Sequence, residues 1–181
     1  MIARLVGSEM CIRDRYSHGF RPNKSSSTAL NQVRIKFGAV NWFIEGDIAN
    51  CFDEISHKII ISRVESVVQD QAFMDFLWKY LKTGYATSPK AQMQKPVKGV
   101  PQGGVLSPLL SNIVLDLLDS KVELLIQEFD KGKRKRQNPE YTKLTRTKGG
   151  DVARRLSIPM FLHKDENFKR LRYIRYADDF L

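Results

Sequence analysis

The spacing of apolar residues predicts two amphipathic helices in the middle of the chain. Ser56 is a good helix N-cap, and apolar residues at helical spacing continue from it to about Val68. A second helix is predicted over residues 71–82, and Gly84 is well placed to end it. The residues expected to face the core are Ile60, Val64, Val67 and Val68 in the first helix and Phe73, Phe76, Leu77 and Tyr80 in the second.

A longer helix is predicted after a turn-rich segment. Residues 85–104 are rich in proline and glycine, which predicts a loop or hairpin. Ser107 followed by Pro108 is the favoured order at a helix start, and the helix is expected to run to about Phe129. Its apolar positions are Leu109, Leu110, Ile113, Leu117 and Leu118.

Two segments have the pattern of β-strands. Residues 40–48 (VNWFIEGDI) are a β-branched and aromatic run, which predicts a buried strand ending at Asp47. Residues 173–181 (YIRYADDFL) alternate like a strand that enters a tight turn.

Composition excludes several classes of protein. The chain has 181 residues, of which 42% are hydrophobic and 28% charged, which is typical of a globular protein. No apolar run approaches the ~18–20 residues that a membrane-spanning helix needs, so we expect no membrane span. With two cysteines, and three histidines without ligand spacing, neither a disulfide-stapled domain nor a cysteine-based zinc site is expected.

The positive charge is concentrated in one part of the chain. The net charge is +10, and residues 131–172 alone hold 14 Lys/Arg against 4 Asp/Glu. A block of this density is typical of contact with a polyanion, which favours nucleic acid as a partner. A solvated surface loop without a partner is the alternative.

The first residues are expected to be foreign to the fold. Residues 8–15 (SEMCIRDR) look like a translated sequencing adaptor, and Glu9 and Asp14 argue against a transit peptide. We therefore interpret residues 1–15 as a non-native leader.

Aspartates stand at the ends of both predicted strands. Asp178 and Asp179 lie between aromatic and apolar residues, where burial and mutual repulsion penalise two carboxylates unless a cation is present. Asp47 ends the first strand, and its alternative role is a turn or helix cap, whereas Asp53 is interpreted as structural. If the strand ends meet, three carboxylates could hold two Mg²⁺ ions for an in-line displacement at phosphorus.

Four segments, in order, resemble the motifs of reverse transcriptases. Residues 43–53 (FIEGDIANCFD), 99–108 (GVPQGGVLSP) and 176–179 (YADD) are similar to the palm motifs of this family. Upstream, residues 18–26 (HGFRPNKSS) are similar to the fingers motif of its group II intron branch. The basic run 131–141 (KGKRKRQNPEY) is similar to an insertion in organellar intron-encoded maturases. A YADD sequence alone is a weak signal, whereas four motifs in family order are a very specific one.

The resemblance implies a fold and a reaction. The fold would be α+β, the fingers–palm portion of a right-hand polymerase with a small antiparallel palm sheet backed by helices. The reaction would be RNA-templated addition of deoxynucleotides to a DNA primer 3′-OH. The catalytic residues would be Asp47, Asp178 and Asp179, which would bind two Mg²⁺ ions together with the carbonyl of Ile48.

Further residues take roles from the same resemblance. Phe52 would be the aromatic steric gate under the sugar, and core packing is its alternative role. Arg21 would grip the triphosphate with help from Lys24, which could instead simply be solvated. Gln102 would lie beside the nucleotide and primer, with Gly103 allowing close backbone approach. The residues expected to bind RNA are Lys131, Lys133, Arg134, Lys135 and Arg136.

The resemblance also suggests boundaries and leaves rivals open. Residues 16–39 would hold the fingers motif, 40–130 the palm, 131–165 a basic insertion and 172–181 the YADD motif, with the thumb expected beyond Leu181. We expect the chain alone to be inactive, because it lacks a thumb and the strand returning after the YADD motif. The rivals are a splicing maturase that binds intron RNA without polymerase activity, and a reverse transcriptase of a retron, a retroelement or a CRISPR-associated system. The implied compartment is a mitochondrion or plastid, with bacterial cytoplasm as second choice.

Overall fold

The computed structural model describes residues 15–38, 40–83, 97–101, 103–148, 152, 156–162 and 164–181. These residues form two compact units, one from the described residues of Met1–Val122 together with Arg172–Leu181, and the other from Glu123–Leu171. No helix among them is long and apolar enough to cross a membrane. The elements are, in chain order, α1 (Ser26–Lys36), β1 (Gly46–Asp47), α2 (Cys51–Glu54), α3 (His57–Glu65), α4 (Gln71–Lys82), α5 (Ser107–Phe129), α6 (Pro139–Lys148), β2 (Arg175–Tyr176) and β3 (Asp179–Phe180).

The predicted helices are present, and their buried faces differ in detail from the prediction. The bounds predicted for α4 are confirmed, whereas α3 ends at Glu65, before the predicted end near Val68. In α4 the buried residues are Met74, Leu77 and Leu81, while Phe76 is 56% exposed. The buried face of α4 packs against a core to which α3 and α5 also contribute. The aromatic side chains of α4 lie at the margin of that core or in solvent.

Helix α5 has the predicted bounds and an unexpected buried face. Leu110 and Ile113 are buried as expected, whereas Leu117 is 42% exposed. Five polar residues of α5 are buried as well, and three of them recur at helical spacing: Asn112, Asp116 and Asp119. They form a polar stripe on the helix, and two of them bind the β2–β3 hairpin, as described below.

The strands form a three-stranded antiparallel sheet in the order β1-β3-β2. The predicted buried strand over residues 40–48 is wrong in both length and burial. Only Gly46 and Asp47 pair, and Trp42 is 88% and Ile44 77% exposed. Within the described residues β1 lies at the edge of the sheet and pairs with β3 alone. The apolar residues 42–44 before it are exposed because no described element packs over them.

The second predicted strand, residues 173–181, folds back on itself as a hairpin. Strand β3 follows the turn directly and lies between the other two strands, so the expectation that the returning strand is missing is wrong. The backbones of Ile174 and Leu181 exchange two hydrogen bonds of 3.1 and 2.9 Å, which close the open end of the hairpin. Helices with a small antiparallel sheet make the fold α+β, as predicted.

The second unit is built around α6 and a buried carboxylate. Asn138 caps α6 by accepting a hydrogen bond from the Glu140 amide, and Pro139 occupies the first turn, where no amide is needed. Asp165 has almost no exposed side chain and accepts hydrogen bonds from the backbone amides of Arg136 and Asn167. Its carboxylate thus links two segments that are far apart in sequence.

Candidate active site

The sheet places two of the three predicted catalytic aspartates in direct register. Asp47 of β1 and Asp179 of β3 are direct partners in the antiparallel register. Partner residues in such a pair project from the same face of the sheet, so both carboxylates lie on one face. Asp178 lies in the tight turn between β2 and β3. The strand ends that sequence alone left unconnected therefore meet.

The opposite face explains the glycine before Asp47. Gly46 is the partner of Phe180, and a Cβ built at Gly46 would lie 2.2 Å from Cζ of the Phe180 ring. Only glycine lets this ring lie across β1. The aromatic ring and the carboxylates consequently occupy opposite faces of the same pair of strands.

Two like charges in direct register are unfavourable without a counter-charge. Asp47 and Asp179 are exposed, so water lowers this cost without removing it. The thiol of the buried Cys51 is affected by Asp47 and by the third aspartate, Asp178: burial raises its pKa, and the negative charges of Asp178 and Asp47 raise it further. Both carboxylates are thus close enough to act on one side chain.

The donors at this place are oxygen atoms, which Mg²⁺ prefers. Within the described ranges, no group of three His, Cys, Asp or Glu side chains is already gathered for a metal ion. The Ile48 carbonyl, which was predicted as a further ligand, accepts a hydrogen bond of 3.2 Å from the Cys51 amide. A carbonyl oxygen has a second lone pair, so this bond leaves Ile48 able to bind a cation.

A fully buried ion pair contacts the turn between β2 and β3. Arg175 of β2 and Asp119 of α5 are both 0% exposed. Arg175 donates from Nε to Oδ1 of Asp119 at 2.9 Å and from Nη2 to Oδ2 at 2.7 Å. The hydroxyl of Tyr173 donates to the same carboxylate at 2.8 Å, and burial together with the charge of Asp119 raises the pKa of Tyr173.

This ion pair was not predicted from the sequence. A charged residue in the otherwise apolar run Tyr173–Tyr176 was one available signal for Arg175. The buried polar stripe of α5 was a second signal, because polar residues at helical spacing among apolar ones indicate buried partners.

The motif before α5 is held against α2. The amides of Gly99 and Val100 donate to the carbonyls of Ile55 and Phe52, each at 2.7 Å. His57 donates from Nε2 to the Gly99 carbonyl at 2.6 Å, and Gly99 has the positive φ of 87° that favours glycine. These contacts bring the start of the GVPQGG motif beside Phe52.

The predicted nucleotide-binding residues have different environments. Phe52 is half-buried and packs against the hydrophobic core, and Gly103 is exposed with a φ of 83°. Arg21 is only 6% exposed, and Lys24 is half-buried. Gln102 lies outside the described residues.

The predicted RNA-binding residues belong to the second unit. Lys131, Lys133 and Arg134 are exposed, and Lys135 is half-buried. Arg136 differs because its guanidinium donates to Asp165, with contacts of 2.8 and 3.0 Å. Those contacts lower the pKa of Asp165 to about 2, so its carboxylate is ionised at neutral pH.

The family model "Reverse transcriptase (RNA-dependent DNA polymerase)" matches residues 4–181, and the chain belongs to this family.

Named relatives are similar over nearly the whole chain and confirm the predicted resemblance to group II intron proteins. The group II intron-encoded protein LtrA of Lactococcus lactis is 38% identical over 91% of this chain and 30% of its own length. A protein of intron 1 of COX1/OXI3 in Saccharomyces cerevisiae is 45% identical over 92% of this chain and 21% of its own length. The mitochondrial protein ymf11 of Marchantia polymorpha is 32% identical over 91% of this chain and 22% of its own length. The chain therefore spans about a fifth to a third of the length of these relatives.

Proposed function

We propose that this protein is the RNA-directed DNA polymerase of a group II intron. It adds deoxynucleotides to a DNA primer 3′-OH on an intron RNA template and releases pyrophosphate. The observation that supports this most directly is the register of Asp47 with Asp179 beside the Asp178 turn, in a chain of the reverse transcriptase family.

The carboxylates of this pair are suited to hold cations. Asp47, Asp178 and Asp179, with the Ile48 carbonyl, would bind Mg²⁺ as oxygen ligands. Two such ions, when bound, supply activation of the primer hydroxyl and charge stabilisation at the leaving phosphate. The protein's own contribution is the fixed backbone register that sets the separation of Asp47 and Asp179.

Neighbouring residues would select and orient the nucleotide. Phe52 would lie under the sugar and disfavour a 2′-hydroxyl, and Gln102 and Gly103 would border the nucleotide and primer. The hydrogen bonds between the Phe52–Ile55 and Gly99–Val100 segments support this, because they bring the two motifs together. Arg21, with Lys24, would bind the triphosphate, a bidentate contact to which a guanidinium is suited.

The basic residues of the second unit would bind the intron RNA. Lys131, Lys133 and Arg134 are exposed, as phosphate contacts require, and Lys135 and Arg136 extend the positive run. The same charges favour a second candidate function, which is support of intron splicing by RNA binding. A nuclear intron maturase of Arabidopsis thaliana is a relative at 23% identity over 62% of this chain, which supports this candidate.

The proposed compartment is supported by the relatives. A mitochondrion or plastid is proposed because of the Marchantia mitochondrial relative, and bacterial cytoplasm is the second choice because of the Lactococcus protein.

The test is RNA-templated primer extension by the protein translated from its complete reading frame. The expected result is Mg²⁺-dependent incorporation that Asp178→Asn reduces to background while affinity for primer–template is retained. Asp75→Asn is the matched control, because Asp75 is an exposed aspartate of α4 whose carboxylate accepts a hydrogen bond from Gln71. Absence of incorporation by the wild-type protein, or full incorporation by Asp178→Asn, would contradict the proposal.

A further inference from the structure

Arg175 holds the turn that contains Asp178 and leads into Asp179. Besides its two bonds to Asp119, it donates from Nη1 to the carbonyl of Ala177 at 2.7 Å. Ala177 has a φ of 57°, a left-handed conformation that is unfavourable for a residue with a Cβ. The turn therefore depends on surrounding contacts, and the bond from Arg175 is one of them.

The same turn is fixed from a second side. A Cβ built at Gly19 would lie 2.3 Å from the backbone nitrogen of Ala177, so these two backbones are in close contact. Asn112 of α5 joins them to the ion pair: its Nδ2 donates to the Gly19 carbonyl at 3.0 Å, and its Oδ1 accepts from Arg175 Nη1 at 3.1 Å.

The backbone of Arg175 is also bound to the segment before Gly19. Its amide donates to the Tyr16 carbonyl at 2.9 Å, and its carbonyl accepts from the His18 amide at 2.9 Å. The HGF segment and the YADD turn are thus joined through one residue on both its backbone and its side chain.

We propose that Arg175, oriented by Asp119 and Asn112, is a positioning residue that fixes the Ala177 turn and thereby the placement of Asp178 and Asp179 relative to Asp47. The inference rests on the proposed function, because it assigns these residues a part in the same site. The hydrogen bonds of the Arg175 side chain go to Asp119, Asn112 and the Ala177 carbonyl, so it acts through the backbone that bears the predicted ligands.

The chemistry of the pair requires arginine. Arg175 makes four side-chain hydrogen bonds to three different residues, which a planar guanidinium with five donors allows. A lysine retains the charge that balances Asp119, but its single ammonium group lacks the separate N–H donors with which a guanidinium binds Asp119 and Ala177 at the same time. Arg175→Lys therefore separates the charge of the residue from its geometry.

The experiment compares Arg175→Lys with Arg63→Lys in the protein from the complete reading frame. Arg63 of α3 is a matched control because it forms an ion pair of 2.9 Å with Asp116, which lies on the same helix as Asp119, and this pair includes no residue of the Ala177 turn. The measurements are thermal unfolding, primer–template affinity, KM for a deoxynucleotide, kcat, and the Mg²⁺ concentration that gives half the maximal rate.

For Arg175→Lys we expect a lower kcat and a higher half-saturating Mg²⁺ concentration, each by about 10–100-fold, as for other residues that orient metal ligands. KM and primer–template affinity should stay within about twofold of wild type, because the substitution keeps the backbone bonds of residue 175 to Tyr16 and His18, which hold the segment before Arg21. Arg63→Lys should match the wild type in kcat, half-saturating Mg²⁺ concentration, KM and primer–template affinity. A purely structural ion pair would lower the unfolding temperature of Arg175→Lys without moving the Mg²⁺ dependence, and that result would overturn the proposal.

Asn112→Ala provides a milder test if Arg175→Lys does not fold. It removes one acceptor from Arg175 and the donor to Gly19 while leaving the Asp119 pair in place, so the same shift in Mg²⁺ dependence is expected at reduced size. A folded Asn112→Ala protein with wild-type Mg²⁺ dependence would refute the positioning role. If the wild-type protein itself lacks Mg²⁺-dependent extension, the proposed function has failed, which is a distinguishable result.

Discussion

At the scale of single residues, Phe52 has two roles to reconcile. Its ring is half-buried against the hydrophobic core, and its carbonyl accepts the Val100 amide. A steric gate needs this kind of support, because a ring excludes a 2′-hydroxyl only when packing prevents it from moving aside. Core packing and sugar discrimination are therefore compatible in one side chain.

We predict that Phe52→Val raises incorporation of ribonucleotides relative to deoxynucleotides, because the excluded volume under the sugar is lost. The measurement is the ratio of kcat/KM for the two nucleotides. Phe73→Val is the control: it shortens another half-buried phenylalanine packed against the same core, and it should leave the ratio unchanged. An unchanged ratio in a folded Phe52→Val variant would contradict the steric-gate role and leave core packing as the role of Phe52.

At the scale of elements, helices were more predictable than strands. The apolar period and the end signals predicted the bounds of α4 and α5, since both depend on local sequence. The strand over residues 40–48 was overestimated, because the length of a strand depends on its partners, and only Gly46 and Asp47 find them in β3. Likewise the buried face of α4 was set by its neighbours, which a single helical period does not specify.

The second unit offers an element-scale prediction in which neighbouring cations differ. Arg136 is bound by Asp165, whereas Lys133 and Arg134 are exposed on the same basic run. If this run binds RNA phosphates, neutralising Lys133 or Arg134 with Gln should reduce the slope of log K against log salt by roughly 0.7–0.9 for each lost contact. Arg136→Gln should reduce it less, because its charge is already paired.

Salt titration of RNA binding by the single variants measures this difference. Equal slopes in all three variants and the wild type would support the solvated-loop alternative. If Arg136→Gln changes the slope as much as Lys133→Gln does, the ion pair with Asp165 does not prevent Arg136 from binding RNA phosphates.

At the scale of the whole molecule, the site depends on contacts between distant parts of the sequence. Asp47 and Asp179 were each recognisable from their motifs, yet the register that joins them exists only in the folded sheet. The buried partners of the turn were not predicted, because Asp119 and Asn112 lie on α5 and reach Arg175 only after folding. Sequence predicted the candidate residues, and the tertiary structure shows how Asp47 and Asp179 are arranged.

The central claim is that Asp47 and Asp179 lie side by side and share a divalent cation, and thermal unfolding of Asp179→Asn tests it without relying on activity. At low salt with a chelator, removing one of two opposed charges should leave the variant as stable as wild type or raise its Tm by about 1–3 °C. Added Mg²⁺ should then raise the Tm of the wild type and of Asp75→Asn more than that of Asp179→Asn, because a cation that binds only the folded site stabilises it. A Mg²⁺-induced rise in Asp179→Asn equal to that of the wild type would contradict the claim.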